Sequence, residues 1–168
     1  DEEISDAEGD KVSTYLKAGV TGRVKIIYAE KEDDVASVMV EHGALAVLSL
    51  DGYMAVDIET ESLSRGDKVS VILADETEIT GHVDSVIGKK ATILVTDNGP
   101  AYGETVTVQT EEGNKIGEGS LYIHNPFSVT GYAGTVSYVN VKEDTKNPRQ
   151  IGSFIIENPF RFHPKHVP

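Results

Sequence analysis

Five histidines, adjacent carboxylates such as Asp33-Asp34 and Glu111-Glu112, and one glycine-rich stretch are the residues here whose type and spacing bear on chemistry. His163-x-x-His166 has the spacing of a metal-ligand pair. It sits among prolines, where nothing fixes two imidazoles on one turn, and is read as solvated. His82 falls on the polar side of an alternating pattern, His124 precedes the Asn125-Pro126 turn, and His42 has no partner in sequence. Asp33-Asp34 and Glu111-Glu112 lie in charged, turn-like stretches. Two carboxylates divide acid and base roles only where burial drives their pKa values apart, so these read as solvated turns. Gly113-x-x-x-Gly117-x-Gly119 lacks the Lys-Ser/Thr of a phosphate loop, and no helical pattern follows it; it reads as a hairpin with a bulge. There is no Gly-x-Ser-x-Gly elbow, no aspartate-rich calcium loop and no cysteine. Disulfides, iron–sulfur clusters and cysteine zinc sites are therefore excluded. The expectation is a non-enzymatic chain, with no catalytic, cofactor-binding or metal residues and no cofactor.

The formal net charge of -13 argues against a nucleic-acid partner, which needs a basic face, and against adhesion to anionic lipid. No apolar run approaches the length of a membrane span. Six acids fall in the first ten residues, with Ile4 the one large apolar residue there. Residues 1–11 are expected to be a disordered acidic segment.

One valine-rich phrase occurs twice. Gly22-Arg23-Val24-Lys25-Ile26-Ile27-Tyr28-Ala29 and Gly134-Thr135-Val136-Ser137-Tyr138-Val139-Asn140-Val141 each run into a charged stretch. Gly22, Val24, Ile27, Gly134, Val136 and Val139 are its structural positions. β-branched residues at this density fit a pleated, half-buried surface. Val24 and Ile27, like Val136 and Val139, are three residues apart, so strict alternation would put them on opposite faces. A bulge near Lys25 and Ser137 would bring both inward, with Arg23 then on the solvated face; the alternative is a strand buried on both faces, within a sandwich of two sheets.

The elements that carry these phrases are strands. Ala44 to Leu48 and Met54 to Ile58 flank Asp51-Gly52, which has the composition of a hairpin turn. Asp34 to Glu41 places Val35, Val38 and Met39 on one helical face, with a bulge or loop as the alternative. Val69 to Leu73, Ile79 to Val83, Ala91 to Val95, Val106 to Val108 and Leu121 to Ile123 follow, punctuated by Arg65-Gly66-Asp67, Gly88-Lys89 and Asp97-Asn98-Gly99-Pro100. Ile151 to Ile156 has the composition of a last strand. Four of the six prolines fall in residues 147–168, which read as irregular beyond Pro159. Short strands at regular spacing indicate an all-β fold.

The repeated phrase resembles half of a lipoyl-like hairpin module, typical of periplasmic adaptor subunits, also called membrane fusion proteins. Gly22, Val24, Ile27, Ala29, Asp33 and Val35 match its first part, and Gly43 to Leu48 its second. Gly134, Val136, Val139 and Val141 match the first part again, and Gly152 to Ile156 echo the second. Gly66 to Val71 and Gly81 to Val86 resemble the family's β-barrel. Glu32 and Asp144 stand where the family has glycine, extra residues separate Val35 from Gly43, and no segment has the pattern of the family's long helical hairpin. The resemblance implies an all-β chain with a lipoyl-like (barrel-sandwich hybrid) module and a small β-barrel domain: residues 12–60 a first half module, 61–130 the barrel, 131–158 a second strand segment and 159–168 a tail. It implies an extracytoplasmic adaptor held at the cell membrane, with a transporter subunit as partner and self-association in the assembled pump. The candidate hairpin Leu50-Asp51-Gly52-Tyr53-Met54 has no lysine, which excludes a swinging-arm carrier. The alternative is an extracellular glycan- or peptide-binding module with Tyr102, Tyr122, Tyr132 and Tyr138 as an aromatic platform.

Overall fold

The computed structural model describes residues 11–157. The acidic segment before Lys11 and the proline-rich tail, with His163 and His166, lie outside the described residues. The chain is mostly β, with 51% strand and 6% helix, far below the third that would exclude an all-β fold. In chain order the strands are β1 (Lys11–Lys17), β2 (Arg23–Ile27), β3 (Ala46–Ser49), β4 (Tyr53–Glu59), β5 (Lys68–Ile72), β6 (Glu78–Ile87) and β7 (Lys90–Thr96). They continue as β8 (Thr105–Gln109), β9 (Lys115–Ser120), β10 (Tyr122–Ile123), β11 (Pro126–Val129), β12 (Thr135–Val139) and β13 (Gln150–Glu157). One helix, α1 (Val35–His42), lies between β2 and β3.

The strands form three antiparallel sheets, ordered β11-β3-β2, β1-β13-β12 and β10-β4-β7-β6-β5-β8-β9. The seven-stranded sheet curls until β9 meets β4, giving a nearly closed barrel. Glycine permits that approach: a Cβ on Gly119 would lie 2.7 Å from Val56 Cγ2 and 3.0 Å from the Asp57 carbonyl oxygen. Met54, Val56, Val71, Ile93, Val95 and Val108 fill the barrel interior.

Sheet membership differs from the expected boundaries. β4 belongs to the barrel sheet and β11 to a three-stranded sheet. Asp51-Gly52 therefore joins two sheets and does not close a hairpin. The chain enters the barrel through residues 50–52 and leaves it through 124–125. Those crossings run side by side: the Leu50 amide donates to the Asn125 carbonyl at 2.9 Å and the His124 amide to the Tyr53 carbonyl at 3.2 Å.

The two three-stranded sheets are twins. In one, Val24 pairs with Leu48 and Ile27 with Ala46; in the other, Val136 pairs with Phe154 and Val139 with Gly152. The register shifts between Val24 and Ile26 in one and between Val136 and Tyr138 in the other. That bulge turns residues three apart to one side, and all four of Val24, Ile27, Val136 and Val139 pack into a common core between the sheets.

Each half also completes the other. The Val24 amide donates to the Thr145 carbonyl and the Val136 amide to the Asp33 carbonyl, at 2.9 and 2.8 Å. The Asn147 amide reaches the Gly22 carbonyl at 2.7 Å, and the Val35 amide reaches that of Gly134 at 2.8 Å. Reciprocal bonds of this kind are those of two units related by a twofold axis. Gly22 and Gly134 open their strands for a shared steric reason. A Cβ on either would come within 2.5 Å of the Ser49 oxygen or 2.7 Å of the Ile155 oxygen, on the paired strand.

The halves differ at α1, which only the first contains. Asp34 caps it, accepting from the Ser37 amide at 3.0 Å, and Gly43 ends it at φ 76° with its amide on the Met39 carbonyl. Val35 and Val38 are buried beneath it.

Candidate functional site

Where the barrel meets the β11-β3-β2 sheet, four charges converge. Lys25 is the residue between the two register positions of the β2 bulge, and its side chain is completely buried. Its Nζ donates to the Asp97 carbonyl at 2.7 Å and to the Asp144 carboxylate. Arg23 donates through Nε to Asp97 Oδ1 at 2.9 Å and through Nη1 to the Asp144 carbonyl at 2.8 Å. Asp97 follows β7 and belongs to the barrel, while Asp144 sits in the turn after β12. The network therefore ties together the barrel and both halves of the module. The Asp97 side chain is only 6% exposed and that of Arg23 16%. Arg23 is thus not on a solvated face: the bulge directs it into the contact with the barrel. Asp97, in a stretch that reads in sequence only as a breaker, is a buried ion-pair acceptor.

Above this network opens a cleft of about 380 Å³, lined by Thr21, Gly22, Arg23, Asp97, Lys146 and Asn147 among others. Beneath it the network's two acids and two bases form two pairs, Arg23 with Asp97 and Lys25 with Asp144. Removing one partner of such a pair strands a charge in a poorly solvated place, at a cost of about 3–5 kcal/mol. The arrangement ties the barrel to the β11-β3-β2 sheet.

A second polar cluster lies on the barrel. Tyr122 Oη and Thr92 Oγ1 both donate to Asp57 Oδ1, at 2.7 and 2.8 Å, and Lys90 Nζ lies 3.7 Å from Asp57 Oδ2. Burial, together with the hydrogen bond to the Asp57 carboxylate, pushes the Tyr122 phenol up to about 12. Such a phenol stays protonated near neutrality, where it can donate a hydrogen bond but not serve as a base.

The histidines of residues 11–157 have structural partners. His42 stacks on Tyr28 with ring centroids 4.0 Å apart, His82 packs edge-on against Tyr53, and His124 Nδ1 lies 2.6 Å from Asp51 Oδ2. No group of three or more metal-ligating side chains occurs among the described residues. Asp33 and Asp34 serve the backbone: Asp33 accepts from the Glu30 amide, Asp34 from Ser37. Glu111 and Glu112 are exposed in the β8–β9 connection. The glycine-rich stretch forms β9, whose pairing with β8 shifts register between Val108 and Gln109.

The four tyrosines of the suggested platform are distributed. Tyr122 is in the barrel sheet on Asp57, and Tyr138 is in β12 with its Oη accepting from Gln150. Tyr132 lies almost fully exposed in the loop before β12, and Tyr102 precedes β8. No ring contact joins them among the described residues. The sequence reading missed Lys25, Arg23, Asp97 and Asp144 as a set. One signal was present: a lysine set between the apolar Val24 and Ile26, at the position where a bulge was expected.

Compared with models of protein families, with curated proteins and with solved structures, the chain matches none.

Proposed function

We propose that this chain is the module-and-barrel part of an extracytoplasmic adaptor, a non-enzymatic protein that assembles with a membrane transporter in an export or efflux system. In this reading the twin sheets form a lipoyl-like, barrel-sandwich hybrid module, and the seven-stranded sheet is the adjoining β-barrel domain. The observation that carries it is the reciprocal closure of the two halves: strands opened at Gly22 and Gly134, each bulged, each completed by the turn of the other.

The mechanism would be geometric. A carrier module needs a lysine at an exposed hairpin tip. Here the corresponding segment, Leu50 to Met54, has none and instead serves as the crossing into the barrel. The bonds of Arg23 and Lys25 to Asp97 set the barrel against the module, and the Lys25–Asp144 pair joins the module's two halves, making one block able to transmit position. Loops and sheet faces would supply contacts to the transporter subunit and to further copies of the chain, with neither nucleic acid nor cofactor involved. The full-length protein would be attached to the cell membrane, in the periplasm or at the cell surface. No helix among the described residues is long and apolar enough to cross a membrane.

The test is photo-crosslinking in the native membrane. A photoreactive residue is placed in turn at Ile87, Tyr102 and Tyr132, all exposed, in the full-length protein. The expected product is a covalent complex with a polytopic transporter, identified by mass spectrometry. Absence of any transporter adduct from all three positions would count against the adaptor reading.

A further inference from the structure

The two halves of the module differ at one inward position. Phe127 pairs with Leu48, which pairs with Val24; Thr14 pairs with Phe154, which pairs with Val136. By register, then, Thr14 in the β1-β13-β12 sheet is the twin of Phe127 in the β11-β3-β2 sheet. Phe127 packs against the core between the sheets, and Leu48 beside it is fully buried. Thr14 puts a methyl and a hydroxyl where its twin has a ring. Phe154 is left half-buried. A mostly apolar cleft of about 280 Å³ opens there, lined by Thr14, Tyr132, Ala133, Phe154 and Ile156 among others. An apolar cavity of about 150 Å³ already holds a benzene ring, so this cleft has room for an aromatic side chain.

We propose that this cleft is the docking site of the chain's own segment 158–162, which turns back after β13 and sets the ring of Phe162 against Phe154 and Ile156. The twin names the kind of occupant: the first half fills the equivalent place with a phenylalanine of its own. Continuity names the segment. It begins two residues after Ile156, a wall of the cleft, so the loop to be closed is short and its entropy cost small. Its first residues are Asn158-Pro159, which suit positions i and i+1 of a type I turn. Such a turn places Phe160 at its corner and returns Phe162 toward the cleft. The segment meets the sheet through side chains, because β13 is already paired on one edge with β1 and on the other with β12. Charge acts in the same direction. The chain carries -13 in all, whereas residues 158–168 hold Arg161 and Lys165 and no carboxylate side chain, so the body attracts this segment. Residues 1–10 reach the same edge, where Lys11 pairs with Glu157, but they carry six acids and no aromatic ring. The proposal rests on the register of the twin sheets and not on the adaptor reading, which the transporter cross-links test separately.

The test is nuclear Overhauser spectroscopy of the full chain, with labelled phenylalanine rings and labelled alanine, isoleucine and threonine methyl groups. The expected result is a set of contacts from the Phe162 ring to the methyls of Ala133 and Ile156, shown by mixing labelled and unlabelled chains to lie within one copy. Thr14→Phe restores the ring of the twin and should abolish those contacts by occupying the cleft, while the rest of the spectrum is kept. Phe162→Ala should lower the melting temperature by about 2–4 °C, and Phe160→Ala, at the turn, by much less. Absence of the Phe162 contacts in the wild-type chain overturns the proposal, as does their appearance only between copies. So do contacts that survive Thr14→Phe in a folded variant. Equal melting shifts for the two alanine variants overturn it too.

Discussion

Glu32 and Asp144 hold the same place in the two halves of the module. Both have left-handed backbones, φ 76° and 72°. Each donates its amide, at 2.7 Å, to the valine carbonyl of the other half's opening strand: Glu32 to Val136 and Asp144 to Val24. A side chain with a Cβ is disfavoured in that conformation by about 1–2 kcal/mol. The two residues carry the same strain, but only Asp144 puts its carboxylate to use, against Lys25.

Glycine should therefore have opposite effects at the two sites. Glu32 is exposed, and Glu32→Gly is expected to stabilise the protein by up to about 1 kcal/mol, since relief of strain exceeds the added freedom of the unfolded chain. Asp144→Gly relieves the same strain but strands the buried Lys25 ammonium, for a net loss of about 2 kcal/mol or more. Urea midpoints of the two variants give the signs; a shared sign would refute the assignment of Asp144 as the partner of Lys25.

A double-mutant cycle isolates that pair. Asp144→Asn keeps a residue that tolerates the left-handed turn while removing the charge, and should cost about 3 kcal/mol. In a Lys25→Met background the same change should cost under about 1 kcal/mol, because no buried cation remains to be neutralised. Additive costs would show the two side chains to be energetically independent.

Carboxylates at Val24 and Arg23 in β2 and at Val136 in β12 should all be damaging, although Arg23 reads in sequence as surface. Val24 and Val136 are 0% and 2% exposed, so Val24→Asp and Val136→Asp each bury an unpaired carboxylate at several kcal/mol. Arg23→Asp sets a carboxylate against Asp97 in place of an ion pair and is expected to be comparably harmful. A midpoint within about 0.5 kcal/mol of wild type, the range of ordinary surface changes, would return Arg23 to solvent.

The barrel seam should be sensitive to one methyl group. Gly119→Ala drives a Cβ into Val56 and the Asp57 carbonyl, and is expected to cost about 1–3 kcal/mol as overpacking. On the same strand a Cβ at Gly117 would meet Ile58 at 3.4 Å, ordinary contact, so Gly117→Ala should cost much less. Equal thermal shifts would mean that β9 is not held against β4.

Alkali should act through Tyr122. Its phenol titrates near 10.0 when unfolded and at about 12 in the fold. The raised value means that the fold favours the neutral form. This contribution is complete below about pH 10 and is lost as pH rises through about 12. In an ultraviolet titration of the folded protein, Tyr122 should ionise late, near pH 12. Tyr122→Phe should abolish that late step and flatten the fall in stability between pH 10 and 12. A titration unchanged by the substitution would remove Tyr122 from this role.

The sequence by itself determined what depends on local pattern. Val24 and Ile27, three residues apart and both β-branched, required a bulge if both were to face inward, and the ladder shifts there. Val35, Val38 and Met39 lie on one face at helical spacing, and α1 forms over Val35–His42. The twofold phrase was visible because close backbone approach admits only glycine at residues 22 and 134. Tertiary structure decided the rest. Asp51-Gly52 has hairpin composition, yet the strands beside it join different sheets, since a turn's local preference does not choose the partner of a strand. Lys25 reads as one polar residue in a strand and Asp97 as part of a breaker. Their burial depends on Asp144, contributed by a distant turn. Local preference is a property of neighbouring residues; pairing and burial belong to surfaces that exist only after the chain has folded back on itself.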